Sequence, residues 1–175
     1  MPRRHSLPLI WLLSDARNDA GLEQALANLP EASGFVFRHY HLDPSARRQR
    51  FDRLVNIARA RSHTVLLSGD AALAQEWGAD GIYAAPGTSR GSGLWLATAH
   101  DGDEIKAAVG KGADGIFLSP VFPTRSHENA ATLGVHGFHV LAQQSPIPVI
   151  ALGGMTKERA GELDWPRWGA IDGLS

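Results

Sequence analysis

One junction occurs three times in this chain and limits the folds open to it. Gly-Ala-Asp-Gly-Ile stands at 78–82 and again at 112–116, and a variant, Gly-Ala-Ile-Asp-Gly, lies at 169–173. Each copy reads as a helix end followed at once by an apolar strand. Gly78 and Gly112 suit the left-handed conformation at a helix C-terminus, where a Cβ would clash. A helix-to-strand junction that recurs points to a fold built from repeated strand–helix units.

The rest of the chain follows the same alternation. Apolar runs at 8–13, 35–40, 64–67, 81–84, 94–98, 115–118, 148–152 and 171–174 read as eight strands. They do not alternate polar with apolar, so each is expected to be covered on both faces, as in a parallel sheet. Leu22, Ala25, Leu26 and Leu29 share one face of a helix predicted over 19–29, closed by Pro30 and Gly34. Asp43 can cap the next helix, with Pro44 at its first position. There Phe51, Leu54, Val55 and Ala58 form the buried stripe, and the arginines are expected to face outward. Further helices are expected at 71–77, behind a capping box of Asp101 and Glu104, at 137–144, and at 156–163 behind Thr156. Residues 86–93 are mostly Gly, Ser, Thr and Pro, so a loop stands where a fourth helix would lie.

Eight such units predict an α/β fold, a compact (β/α)₈ TIM barrel with reduced fourth and eighth helices, over residues 1–175 as one domain. An open doubly wound sheet is the alternative arrangement. Trp165 and Trp168 are expected to seal the C-terminal end.

Bulk properties remove several function classes. The 17 basic and 18 acidic residues nearly cancel, which gives no reason to expect nucleic acid or an anionic membrane as partner. The absence of Cys excludes disulfides and thiolate metal sites. No apolar run approaches a membrane span. The apolar start is followed by Ser14-Asp15-Ala16-Arg17, a poor signal-cleavage site, so a cytoplasmic protein is expected. A homo-oligomer is compatible with all of this.

In a barrel, chemistry collects just after the strands. Gly153-Gly154 follows the seventh strand, where backbone and helix-start N–H groups can approach a phosphate; alternatively it is a tight turn. After the sixth strand, Pro120 and Pro123 stiffen a loop that offers Thr124, Arg125, Ser126 and His127, either to a ligand or to solvent. Arg38 lies late in the otherwise apolar second strand and needs an anion, either a substrate or a carboxylate such as Asp70. Thr98 and His100 follow the fifth strand. His100 can move protons near neutral pH or be a hydrogen-bonded turn residue. Ser68-Gly69-Asp70 follows the third strand. Asp70 can bind metal weakly or cap the next helix. His136 and His139 are expected at the surface.

At these residues the chain resembles the thiamine phosphate synthase family and its relative, the TenI thiazole tautomerase. Gly-Ala-Asp-Gly-Ile-Phe-Leu-Ser-Pro-Val-Phe-Pro-Thr at 112–124 is similar to that family's sixth-strand motif. Ile-Pro-Val-Ile-Ala-Leu-Gly-Gly-Met-Thr at 147–156 is similar to its phosphate motif, and Ala97-Thr98-Ala99-His100 resembles its fifth-strand Ser-Ala-His or Ser-Val-His. The resemblance implies a (β/α)₈ barrel in thiamine biosynthesis. There a pyrimidine diphosphate loses Mg²⁺-bound diphosphate and a thiazole phosphate captures the resulting cation. It implies a small phosphorylated substrate bound by Thr124, Ser126, His127, Gly153, Gly154, Thr98 and Ser68, with His100 and Arg38 as catalytic candidates.

The departures are selective. Of the family's Gln-x-Arg-x-Lys only Arg38 remains, because Val36 and Tyr40 stand at the other two positions. Gly69 and Thr88 replace the carboxylates expected to hold Mg²⁺, which leaves Asp70 alone, and His127 replaces a Lys. The chain runs only to Ser175 where the phosphate site is expected to be completed after strand eight. Three roles therefore stay open. One is a synthase with diphosphate recognition by Arg38, Arg90 and Arg125. The second is a metal-free tautomerase with His100 as base, and the third is a thiazole-phosphate-binding barrel without turnover.

Overall fold

The computed structural model describes residues 6–175. Eight short parallel strands close into a ring: β1 (Ile10–Leu13), β2 (Gly34–Phe37), β3 (Thr64–Ser68), β4 (Gly81–Ala84), β5 (Leu94–Ala99), β6 (Gly115–Leu118), β7 (Val149–Ala151) and β8 (Trp168–Ala170). They pair in sequence order, and β8 returns to β1 with Gly169 opposite Trp11. Closure decides for the barrel and against the open sheet. Six helices cover it: α1 (Leu22–Asn28), α2 (Pro44–Ala60), α3 (Ala71–Trp77), α4 (Gly102–Gly110), α5 (Gly134–Ala142) and α6 (Lys157–Leu163). Among the described residues no helix joins β4 to β5, and a 3₁₀ turn at Asp172–Leu174 follows β8. Both reductions match the expectation from sequence. Gly78 and Gly112 do adopt left-handed backbone, with φ of 74° and 83°.

Side chains alternate along each strand, and this produces two cores. Inside the ring lie Trp11, Leu13, Val36, Leu66, Leu96, Phe117 and Ile150, all fully buried. The indole of Trp11 is accommodated because its neighbour Gly34 has no side chain; a Cβ there would lie 2.2 Å from the ring. Outside the ring, Phe35, Phe37, Val65, Leu67 and Ile116 pack against Leu26, Phe51, Leu54 and Phe138 of the helices. Counting two residues onward from the inward set reaches Arg38, Ser68, Thr98, Ser119 and Leu152. All five line a single cavity at the C-terminal mouth. The strand period thus selects the side chains available for chemistry.

Several boundaries and orientations differ from the sequence reading. The eighth strand is Trp168–Ala170 and not 171–174, so Trp168 is part of the barrel wall. Gly34 begins β2 and does not close the preceding helix, which itself splits into a 3₁₀ turn, Asp19–Gly21, and α1. The capping box is displaced by one residue. Asp101 accepts from the Asp103 and Glu104 N–H groups, but Glu104 reaches back to the N–H of His100. Two α2 arginines face inward. Arg47 lies one turn before Phe51, between the rings of Phe37 and Trp77, and Arg50 binds Asp19 and Glu23. His139 is half-buried and bonds the Leu163 carbonyl at 2.7 Å, whereas His136 is exposed.

Candidate active site at the barrel mouth

The mouth encloses a cavity of about 610 Å³, a volume suited to a small organic ligand. Its two halves are built differently.

The half formed by β6, β7 and β8 is a backbone cradle. Gly153 and Gly154 have φ of 101° and 62°, left-handed values that favour glycine. A Cβ on Gly153 would lie 2.6 Å from the Pro120 Cα, and one on Gly154 would lie 2.3 Å from the Pro123 carbonyl oxygen. The turn is therefore pressed against the Pro120–Pro123 loop, which approaches over a cis Ser119–Pro120 bond. No acceptor among the described residues takes the N–H groups of Gly153 and Gly154. Unpaired backbone donors on a cavity wall are groups that can cradle an anion. Arg159 steadies the turn by donating to the Gly154 carbonyl at 2.5 Å while lying over the Phe122 ring. Thr124 lines the cavity, and its hydroxyl accepts from the Ser126 N–H at 3.3 Å.

The half formed by β1 to β4 is made of side chains. Arg38 donates from Nε to the Ser14 carbonyl and from Nη2 to Asp15, both at 2.9 Å. Its carboxylate partner is therefore Asp15 and not Asp70. Asp70 instead caps α3, accepting from the Leu73 N–H at 2.8 Å. The Ser14 hydroxyl accepts from the Arg38 N–H at 2.7 Å and donates to His39 Nδ1 at 2.8 Å. His39 Nε2–H then donates to Asp19 at 2.7 Å. Burial pushes His39 below the usual imidazole value of 6.5, so the donor in this last contact is a neutral imidazole and the acceptor a carboxylate. Burial raises Asp19, but its bonds from His39 and Arg50 outweigh that and hold the carboxyl below its usual range. The Tyr40 hydroxyl bonds Ser68 Oγ, and its ring lies beside the Arg38 guanidinium. Tyr83 points inward over Phe117. Burial pushes its phenol up to about 12, against the pull of Arg38.

The cavity brings together Arg38, Ser68, Asp70, Thr98, His100, Thr124, Ser126, His127, Gly153 and Gly154 of the sequence candidates. Arg90 lies elsewhere, bound to the Gly112 carbonyl and Asp114, and Arg125 is not among the lining residues. His100 is an exposed rim residue whose Nδ1 bonds Glu104 at 2.8 Å. That bond assigns the proton to Nδ1 and leaves the Nε2 lone pair free.

The residues present do not fit Mg²⁺. At the β3 and β4 ends Gly69 and Thr88 carry no carboxylate, and one oxygen of Asp70 is committed to its cap. No group of three or more metal-ligating side chains occurs among the described residues. Mg²⁺ needs oxygen donors in near-octahedral array, and this corner offers one partly used carboxylate.

Sequence reasoning missed Arg17, Tyr40, Tyr83 and Asp172 as lining residues. Arg17 reaches across the mouth to Ser126 Oγ at 3.0 Å and stands 3.6 Å from both Asp15 and Asp172. Its signal was its place directly after the first strand.

A family model described as thiamine monophosphate synthase matches residues 12–164. The chain belongs to the thiamine monophosphate synthase family. A thiamine-phosphate synthase from Salinibacter ruber is 30% identical over 167 residues, covering 90% of this chain and 73% of that protein. One from Lactococcus lactis is 26% identical over 121 residues, covering 63% of this chain and 56% of the relative. The match to this chain thus spans little more than half the length of the Lactococcus lactis relative. Thiamine phosphate pyrophosphorylase from Pyrococcus furiosus superposes with a TM-score of 0.78 at 20% identity, covering 93% of this chain and 84% of that one. The YdjI aldolase of Escherichia coli superposes at 0.63 with 10% identity, so the barrel alone carries no activity.

Proposed function

We propose that this chain is a thiamine phosphate synthase-like protein of thiamine biosynthesis that holds a thiazole phosphate in the barrel mouth. The observation that carries the reading is the Gly153-Gly154 turn, with two unpaired N–H groups on a wall too crowded for a Cβ. In this reading the phosphate lies against that turn. The ring reaches the centre of the cavity beside Thr98, Ser119 and Leu152. The synthase step asks the barrel to orient a ring nitrogen toward an incoming carbocation and to exclude water. The reduced metal–diphosphate corner weakens that step in this chain.

A second reading, tautomerisation of a thiazole phosphate, is favoured by the His100–Glu104 pair. With Nδ1–H held by Glu104, Nε2 can take a proton from one ring-bound position and return it at another, without a metal. In either case the protein takes a small phosphorylated ligand.

Calorimetry with thiazole phosphate is expected to show a one-to-one complex. No binding at millimolar ligand would overturn both readings. Adding pyrimidine diphosphate with Mg²⁺ separates them: thiamine phosphate marks the synthase. Isomerisation of a thiazole substrate that disappears in His100→Ala marks the tautomerase.

A further inference from the structure

The β2–β4 corner lacks what a metal diphosphate requires, yet it is carefully built. Arg47 donates from Nε to the Arg38 carbonyl at 3.0 Å and from Nη2 to the Ser68 carbonyl at 2.7 Å, bracing the ends of β2 and β3 together. Its own guanidinium is packed between Phe37 and Trp77. On that braced frame Arg38 keeps N–H groups free beyond its bonds to Ser14 and Asp15. Tyr83 stands beneath it as a neutral phenol able to donate. Tyr40 is 65% exposed, yet its hydroxyl is pinned by Ser68, so its ring is a fixed shelf at the cavity edge.

The charge available is small. Arg17 and Arg38 line the cavity with Asp70 and Asp172, so the lining is neutral apart from its histidines. Each of the two arginines also has a carboxylate near it. A phosphate at the Gly153-Gly154 turn brings nearly two negative charges. A bare diphosphate would add several more with no cation beyond these two paired arginines to meet them, a steep cost in a partly enclosed site. One further negative charge is within reach of a single Arg reinforced by a phenol.

We propose that Arg38, Tyr40, Ser68 and Tyr83 form a metal-independent site for a planar ring bearing one negative charge, and that this site rejects magnesium diphosphate. The ring lies on Tyr40, and its anionic group bonds Arg38 and the Tyr83 hydroxyl. The inference builds on the thiazole-phosphate reading for the opposite half, and its test separates the two.

The probe is nicotinate, a planar ring with one carboxylate, titrated into the full chain by ligand-observed NMR in EDTA. Inorganic diphosphate is titrated with and without Mg²⁺, and thiazole phosphate in parallel. Nicotinate is expected to bind in EDTA and to be indifferent to Mg²⁺. Tyr83→Phe keeps the packing on Phe117 and is expected to weaken nicotinate about tenfold, the loss of one charge-assisted hydrogen bond. Arg38→Met is expected to abolish nicotinate binding. Thiazole phosphate affinity is expected to survive in both variants, which also shows that they fold. The proposal is overturned if nicotinate fails to bind, if neither variant weakens it, or if diphosphate with Mg²⁺ displaces it. Failure of thiazole phosphate to bind the unmodified chain overturns the other reading alone.

Discussion

The two halves of the barrel mouth are built from different material. The β6–β8 half offers backbone: Gly153 and Gly154 present N–H groups, and the Pro120–Pro123 loop fixes their position. The β1–β4 half offers side chains: Arg38, Tyr40, Ser68 and Tyr83, held by Arg47 and the Ser14–His39–Asp19 relay. A backbone cradle depends on conformation and tolerates little change in sequence. A side-chain corner can be rewritten residue by residue on an unchanged barrel.

The sharpest way to break this contrast is Gly154→Val. It places a Cβ near the Pro123 carbonyl and forces a branched residue into left-handed backbone. Thiazole phosphate affinity should fall by more than about tenfold, given a strain of ~1–3 kcal/mol in the turn. Nicotinate binding should change little, and calorimetry on both ligands reads the split. Next in size, Arg47→Met should leave the Arg38 and Ser68 carbonyls unmet and cost about 2 kcal/mol in chemical denaturation. It should also weaken nicotinate and spare thiazole phosphate.

A pH titration probes the support beneath the second half. Burial lowers both His39 and His63 from 6.5; His63 is wedged between the Ser33 N–H and the Leu26 carbonyl. Below pH 6.5 the unfolded chain takes up protons that the folded chain resists, so stability is lost as pH falls and is fully present above it. Denaturation midpoints should decline between pH 7 and 5. His39→Asn with His63→Asn should flatten that decline. The smallest effect is expected from Glu104→Gln, which alters an exposed pair and should leave stability within about 0.5 kcal/mol. Any isomerisation should nevertheless lose rate, because His100 loses the carboxylate that orients its ring.

The barrel was legible because its signals are local. Repeated Gly78 and Gly112 junctions, unalternating strands and capping residues Asp43, Asp70 and Thr156 all act within a few positions. The Gly153-Gly154 turn was legible for the same reason. What escaped were pairings made across the barrel. Asp15 meets Arg38 across 23 positions of sequence, and Arg17 meets Ser126 across 109. Arg47 and Arg50 carry charge that argues for solvent, although Arg47 shares the helical stripe of Phe51 and both find partners across the fold. Tyr83 was hidden inside an apolar strand, where only the inward parity set by Leu66 and Leu96 marks it as facing the cavity. The eighth strand was misplaced because Trp168-Gly169-Ala170 is too short to outweigh the apolar pair that follows.

The central claim is that the phosphate half of this mouth works without the metal half. Calorimetric titration of the unmodified chain with thiazole phosphate, once in EDTA and once with Mg²⁺, tests it most directly. The account predicts one-to-one binding with the same affinity in both. Binding that requires Mg²⁺, or no binding in either, would contradict it.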